Sequence, residues 1–315
     1  MSASNEPLVI FETVHGSTAY GLAREGSDID LKGIVVGPRS WYLGPTAGPE
    51  QLTLSADHVR YELRRFVRLA LDGNPNVIEL LWTRPEHHLI LTPLAERLLA
   101  ERDRFLSRRV ADRFGGYAIA QVKRIRTHRA WLLTPPTHPP TRDEFGLPER
   151  TVIPADQLAA AERLISQGDS KAADVSPNFL LILDREKRYK AAQQSWTQYQ
   201  GWLTNRNPAR AELEARHGYD TKHAMHLIRL QRMAVEILET GEVHVHRPDR
   251  DELLAVRDGA WSYEQIESAA ESILERIRAA AATSPLPDEP DEAGISALCV
   301  ELLAEHLDTA GHRPS

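Results

Sequence analysis

One cysteine, Cys299, occurs among the 315 residues, and there is no partner for it within the chain. That excludes an internal disulfide and a cysteine-based zinc site. No stretch reaches the roughly 18 uninterrupted apolar residues that a membrane-crossing helix needs. Positive charge is not in excess either: 38 Lys and Arg against 45 Asp and Glu give a net charge of −7. Any contact with nucleic acid therefore has to come from a local basic patch. The first residues are polar and include Glu6, so they read neither as a signal peptide nor as an Arg-rich transit peptide, and a cytoplasmic location is expected. Internal repeats and long low-complexity segments are missing too. What remains is an ordinary globular composition, 42% hydrophobic and 26% charged. It excludes a wholly disordered or a collagen-like chain. The length suggests about two domains.

Residues 7–14 read as helix or strand. Residues 28–37 alternate polar and apolar side chains and end on Gly37-Pro38, the pattern of a buried strand bounded by turn chemistry. A Gly/Pro-rich loop follows over 37–50. His58-Val-Arg-Tyr61 predicts a second strand, and 62–71 an amphipathic helix closed by Gly73. Asn76 to Trp82 begins another helix or strand. From about Pro93 the pattern turns helical, with a Pro-rich break over 134–154. Further helices are predicted over 156–166, 177–205, 208–216, 219–240 and 262–282. A Pro-acidic linker follows over 284–292, then a short tail helix over 295–307. The expected fold class is α+β: an α/β domain with a short mixed sheet over 1–105, and a mostly helical domain over 106–283 that closes a cleft. The linker and tail occupy 284–315.

The chemistry concentrates in His15-Gly-Ser-Thr-Ala-Tyr-Gly-Leu-Ala-Arg-Glu-Gly-Ser-Asp-Ile-Asp30. Asp28 and Asp30, one residue apart on a strand, point the same way. Two carboxylates on one face repel unless a cation lies between them, and Mg²⁺ is the hard ion that suits carboxylates and phosphate oxygens. Gly16-Ser17 opens a helix whose free N–H groups, with the Ser17 hydroxyl, suit a triphosphate. Gly16 permits the close backbone approach that phosphate binding requires. Taken alone, Asp-x-Asp is common at solvated strand ends.

Gly-Ser, ten residues, then Asp-x-Asp resembles the active-site signature of the polymerase-beta-like nucleotidyltransferase superfamily. The longer form includes His15, Tyr20-Gly21, Ser27 and Gly33-Ile34. With Asn74-Pro75-Asn76, Glu79-Leu80-Leu81 and the block from Gly218 to His226, it resembles the RNA-repair-pathway, polymerase-beta-family (RlaP-like) branch. The resemblance spans roughly 10–85 and 185–265. It implies that Gly16 and Ser17, with Ser27, hold nucleotide phosphates. It also implies that Asp28 and Asp30 bind metal and that an acid on a following strand completes the site. Glu62 is the preferred third carboxylate, with Asp57 its rival; either also reads as an acid at a helix N-terminus. Two ions, Mg²⁺ or else Mn²⁺, are the expected cofactors, clamping an in-line displacement.

On a helix, Lys222, His226 and Arg229 share one face. They are expected to contact triphosphate or a nucleic-acid backbone, with Tyr219 stacking on a base; the alternative is a solvated basic face. The basic run 108–130 and the group Lys187, Arg188 and Lys190, near Tyr189 and Trp196, are further candidate RNA tracks. His244 and His246 are expected on one strand face, exposed, as are His87 and His88. Glu79 is expected to cap or orient the element that follows it; the alternative is that it serves the site from behind the residues that line it. The expected activity is transfer of a nucleotide from an NTP to an acceptor hydroxyl, an RNA end by resemblance, with release of pyrophosphate. The alternatives are transfer to a small molecule or a protein, and a non-catalytic nucleotide sensor. No membrane partner is expected, and the oligomeric state is not legible.

Overall fold

The computed structural model describes residues 6–151, 177–206 and 208–311. The expected helix over 156–166 lies outside them. Chain order begins β1 (Leu8–His15), α1 (Gly16–Ala19), β2 (Asp30–Val36), α2 (Ser40–Leu43), β3 (Gln51–Ser55), β4 (His58–Glu62), α3 (Leu63–Leu71) and α4 (Pro75–Ile78). It continues with 3-10 turns, β5 (His88–Leu91), α5 (Pro93–Ala100) and α6 (Arg109–Leu133). The remaining helices are α7 (Pro177–Thr204), α8 (Pro208–His217), α9 (Thr221–Thr240), α10 (Arg250–Arg257), α11 (Tyr263–Thr283) and α12 (Glu292–Gly311). A mixed sheet at the front and helices behind it give the α+β class.

The sheet has five strands in the order β3-β4-β2-β1-β5. β1 pairs antiparallel with β2 and β5, β3 pairs antiparallel with β4, and β2 and β4 run parallel. Segment 7–14, open to either reading by pattern, becomes β1 because its Val, Ile and Thr side chains suit a pleated surface paired on both sides. Ile10, Phe11, Ile34, Val35 and Val36 are fully buried in the sheet, and Phe66 and Leu80 are buried in the elements that follow. The edge strands β3 and β5 escaped sequence reading. Each is paired on one side only, and Leu54 and Leu89 are exposed there.

Two compact units emerge: residues 1–126 with 220–315, and residues 127–219. In the first, α9 packs on α10 and α11, and α12 packs on α3. The segment before α12 is held by arginines near the start of α6. The Arg108 backbone N–H donates to Pro287 at 2.8 Å, and its guanidinium reaches Asp288 and the Ser284 carbonyl, both at 2.9 Å. Arg104 binds Asp291 at 2.5 Å, and Arg109 pairs with Glu289. The linear reading separates these segments at 105/106 and 283/284; contacts between side chains far apart in sequence join them. In the second unit, His128, Trp131, Trp196, Tyr199 and Trp202 form an aromatic cluster, with ring centroids 5.4–6.0 Å apart between contacting pairs.

Candidate active site

β1 ends on His15, and Gly16 turns the chain into α1 with φ +61°. That left-handed conformation is where glycine is favoured. His15 is paired with Asp30 in the β1–β2 register. The bare Cα of Gly16 lies so close to the Asp30 carboxylate that a Cβ would overlap it. The turn is closed by Tyr20 N–H to Gly16 O at 3.1 Å, Gly21 N–H to Thr18 O at 3.0 Å and Leu22 N–H to Ser17 O at 2.8 Å. Ser17 remains half-buried beside Gly16.

β2 begins at Asp30, two residues later than the alternation predicts. Asp28 is exposed in the extended approach to the strand, and Asp30 is half-buried at its first position. The Ser27 hydroxyl accepts the Arg24 N–H at 2.9 Å, while the Ser27 N–H donates to the Arg24 carbonyl at 2.9 Å. Ser27 thus shapes the turn that delivers Asp28. Its hydroxyl is engaged there.

The parallel register between β2 and β4 separates the two candidates for the third acid. Leu31 is level with His58, and Val35 with Glu62. Glu62 therefore lies five residues along the sheet from the level of Asp30, roughly 16 Å at about 3.3 Å per residue. An odd number of residues also turns its side chain to the opposite face. Its carboxylate is occupied there. It caps α3 by accepting the Arg64 and Arg65 N–H groups, and it accepts the Tyr42 hydroxyl at 3.0 Å. Burial, then the charge of Glu62, pushes the neighbouring Cys299 thiol up to about 11. Glu62 is thus a helix cap remote from Asp30. Asp57 lies in the turn before β4, and its carbonyl accepts the Leu31 N–H at 2.7 Å, which holds its backbone at the start of β2, next to the residue that follows Asp30. Lys32, two residues after Asp30 on the same face of β2, is half-buried and has no ion-pair partner among the described residues. The spacing Asp30-x-Lys32 was the available sequence signal for it.

Of the second block, the structure brings Arg229 and His226 to this region, in a role different from the expected one. Arg229 is 2% exposed, and its guanidinium donates to Glu79 Oε1 at 2.6 Å and covers the Tyr20 ring at 3.7 Å. Its charge is spent inside the protein, so it is not an open phosphate contact. Burial alone would raise the Glu79 carboxyl. Arg229, with His15 and Tyr20 close by, more than reverses this and holds it at about 2. His226 is half-buried, and burial, then the charges of Arg229 and Lys222, push its imidazole down to about 3. It is neutral at physiological pH. Lys222 is half-buried on the same helix. Asp220 caps α9 through the His223 N–H at 2.9 Å. Tyr219 is fully buried, and burial raises its hydroxyl to about 12, so its ring is not presented for stacking.

The basic run 108–130 is largely consumed within the first unit. Besides Arg108 and Arg109, Arg113 pairs with Asp72, and Arg126 binds Glu267 at 2.6 Å. In the second unit, Arg142 lies 5.3 Å from the centroid of the Tyr189 ring, while Arg188 and Lys190 are exposed on α7. His244 and His246 sit in a loop and not on a strand, because residues 241–247 pair with no other strand. His246 fills the space a Cβ at Gly21 would need, its Nε2 lying 2.6 Å from that position. Among the described residues, no group of three or more His, Cys, Asp and Glu side chains could hold a metal ion.

Residues 1–134 match RlaP, the RNA repair pathway DNA polymerase beta family. No curated protein and no solved structure matches the chain. The RlaP match contains Gly16, Ser17, Asp28, Asp30, Asp57, Glu62 and Glu79, and it ends before Tyr219, Lys222, His226 and Arg229. The RlaP family supports a function of the nucleotidyltransferase type. No helix among the described residues is long and apolar enough to cross a membrane.

Proposed function

We propose that this chain transfers a nucleotidyl group from an NTP to an acceptor hydroxyl, an RNA end being the favoured acceptor, with release of pyrophosphate. One observation carries the reading: Gly16, in a left-handed turn, has its Cα packed against the Asp30 carboxylate. A turn suited to phosphate and a carboxylate suited to a metal ion lie close together in a segment matched to RlaP, which supports the reading.

Asp28 and Asp30 are the residues that would hold Mg²⁺, or Mn²⁺ in its place, with Asp57 as the third carboxylate. The donor set fits: Mg²⁺ is usually held by one or two carboxylates plus substrate phosphates and water, so a preformed protein cage of three ligands is not required. Bound there, the ion would neutralise charge on the phosphoryl oxygens and activate the attacking hydroxyl. The N–H groups of the Gly16-Ser17 turn and the Ser17 hydroxyl bind phosphate oxygens. Lys32 adds a positive charge on the same face. Asp57, exposed at the β3–β4 turn, would receive the proton of the acceptor hydroxyl. The protein's work is positioning and charge stabilisation; no covalent nucleophile is needed.

A second reading, transfer to a small cationic acceptor, is favoured by the internal pairing of Arg108, Arg109, Arg113 and Arg126 together with the net charge of −7. The test incubates the protein with Mg²⁺, each alpha-labelled NTP in turn and total RNA, beside the double variant Asp28→Asn/Asp30→Asn. Label in RNA with the wild type only supports the RNA reading. Pyrophosphate release without labelled RNA, once cationic small molecules are added, supports the second. Equal turnover by the double variant, correctly folded, removes both.

A further inference from the structure

Glu79 is fully buried, with one carboxylate oxygen turned to the residues that flank the turn at Gly16 and the other to Arg229. Oε2 accepts the Tyr20 hydroxyl at 2.6 Å, and Tyr20 is the residue that closes α1. The same oxygen lies 3.4 Å from Nε2 of His15, the residue immediately before Gly16. That approach lacks hydrogen-bond geometry, which leaves the His15 nitrogen without a hydrogen-bond partner. The main grip is therefore on Tyr20. The His15 and Tyr20 rings meet edge to face at 5.6 Å. Oε1 accepts from Arg229 at 2.6 Å, and the same guanidinium lies 3.7 Å from the centroid of the Tyr20 ring. Tyr20 is also held by its backbone: its carbonyl accepts the Arg247 N–H at 3.1 Å. The Arg247 side chain is in turn fixed by Glu236 at 2.6 Å and Asp249 at 2.9 Å.

This arrangement is costly unless it does something. A buried ion pair gains little over apolar packing, because desolvating both charges offsets their attraction. Its usual advantage is a defined geometry, and here the geometry defined is that of a four-residue helix too short to hold itself. Glu79 is delivered by the Asn74-capped α4 and its 3-10 continuation Glu79–Trp82, and Arg229 by the middle of α9. The two are 150 residues apart in sequence.

We infer that Glu79, neutralised by Arg229, is a positioning residue that fixes the Gly16–Ala19 turn against Asp30. On the nucleotidyl-transfer reading above, this makes nucleotide affinity depend on α9, outside the segment matched to RlaP. Neither residue touches the nucleotide. Each acts through Tyr20 and His15.

The test uses the full chain. Tyr20→Phe removes one hydroxyl and keeps the ring under Arg229. The double variant Glu79→Gln/Arg229→Met removes the pair together, so that no buried charge is left unpaired. Two readouts are taken below the lowest Tm: amide hydrogen exchange over 16–22, and the Kd of a fluorescent mant-ATP with Mg²⁺. Tyr20→Phe should speed exchange in the turn about tenfold or more, the worth of a hydrogen bond to a charged group, with β3 and β4 unchanged. It should weaken mant-ATP by a similar factor. The double variant should keep a Tm near that of the wild type and still show the fast turn. Turn exchange within twofold of wild type in both variants overturns the inference, since a purely structural pair would shift Tm alone. The exchange readout needs no nucleotide, so a wild type that binds neither mant-ATP nor the mant derivatives of the other three NTPs refutes the transfer reading and leaves exchange to decide this one.

Discussion

Adding a single methyl group at Gly16 separates backbone strain from damage to the site. Gly16→Ala meets two penalties. The first is conformational: at φ +61° an L-residue costs about 1–2 kcal/mol. The second is steric, because the new Cβ overlaps the Asp30 carboxylate. Relief requires that carboxylate to move by about 1 Å or more, and a displacement of that size at a reacting centre costs about a hundredfold in rate. Gly241→Ala is the matched control. Gly241 follows α9 with φ +75°, and its added Cβ would meet only Leu286 at 3.7 Å, an ordinary contact. Gly241→Ala should therefore lose about 1–2 kcal/mol, about 2–8 °C in Tm on the scale for chains of 150–250 residues, and Gly16→Ala at least as much. Their turnover should diverge. Pyrophosphate release at 20 °C should fall about a hundredfold in Gly16→Ala and stay within about twofold in Gly241→Ala. Wild-type turnover in a folded Gly16→Ala would falsify the claim that this close approach positions Asp30. An equal loss in both variants would show that stability alone was being read.

Three further outcomes follow from the same geometry. Asp57→Asn should depress pyrophosphate release about a hundredfold with Tm unchanged, whereas Glu62→Gln should cost about 1 kcal/mol as a lost helix cap and leave turnover within a few-fold; the reverse pattern would return Glu62 to the site. Stability should decline with acid in two stages, monitored by the urea midpoint. The His226 imidazole, held at about 3 against an ordinary 6.5, favours the folded state above pH 6.5, and that contribution is lost as pH falls toward 3. Glu79, held at about 2 against an ordinary 4.5, adds a second loss as pH falls from about 4.5 toward 2. His226→Gln should flatten the part between pH 6.5 and 4.5, and an unaltered slope there would count against a buried neutral imidazole. Replacing Arg108, Arg109 and Arg113 with Gln should leave the salt dependence of RNA retention unchanged, because their charges are already paired within the protein; a shallower slope would restore them as phosphate contacts.

Local chemistry was legible in the sequence because local rules generate it. Alternation located β2 but began it two residues early, leaving Asp28 in the extended approach to Asp30, and Gly16-Ser17 sits where a strand hands over to a helix. The helix predicted from residue 262 is α11, capped by Ser262, whereas the Asn74 cap of α4 lies ahead of the element expected from Asn76. The amphipathic pattern after Tyr61 located α3 to within a residue, and Glu62, weighed as a metal ligand, is its N-cap. An acid preceding a helix looks the same in sequence whether it caps that helix or faces a substrate.

Tertiary structure decided what depends on which residue lies opposite which. The parallel register of β2 and β4 carries Glu62 away from Asp30, and the turn before β4 brings the Asp57 backbone to the start of β2. No pattern within either strand carries that alignment. Likewise, the run of arginines over 108–130 looks like a nucleic-acid track until the chain brings Asp72, Asp288, Glu289 and Glu267 to it. Arg229 looks like a phosphate contact on a basic helical face until Glu79, 150 residues earlier, meets it in the interior. Alternation and capping act over a few residues and can be read along the chain. Charge pairing is set by proximity in space, which only the packed fold determines.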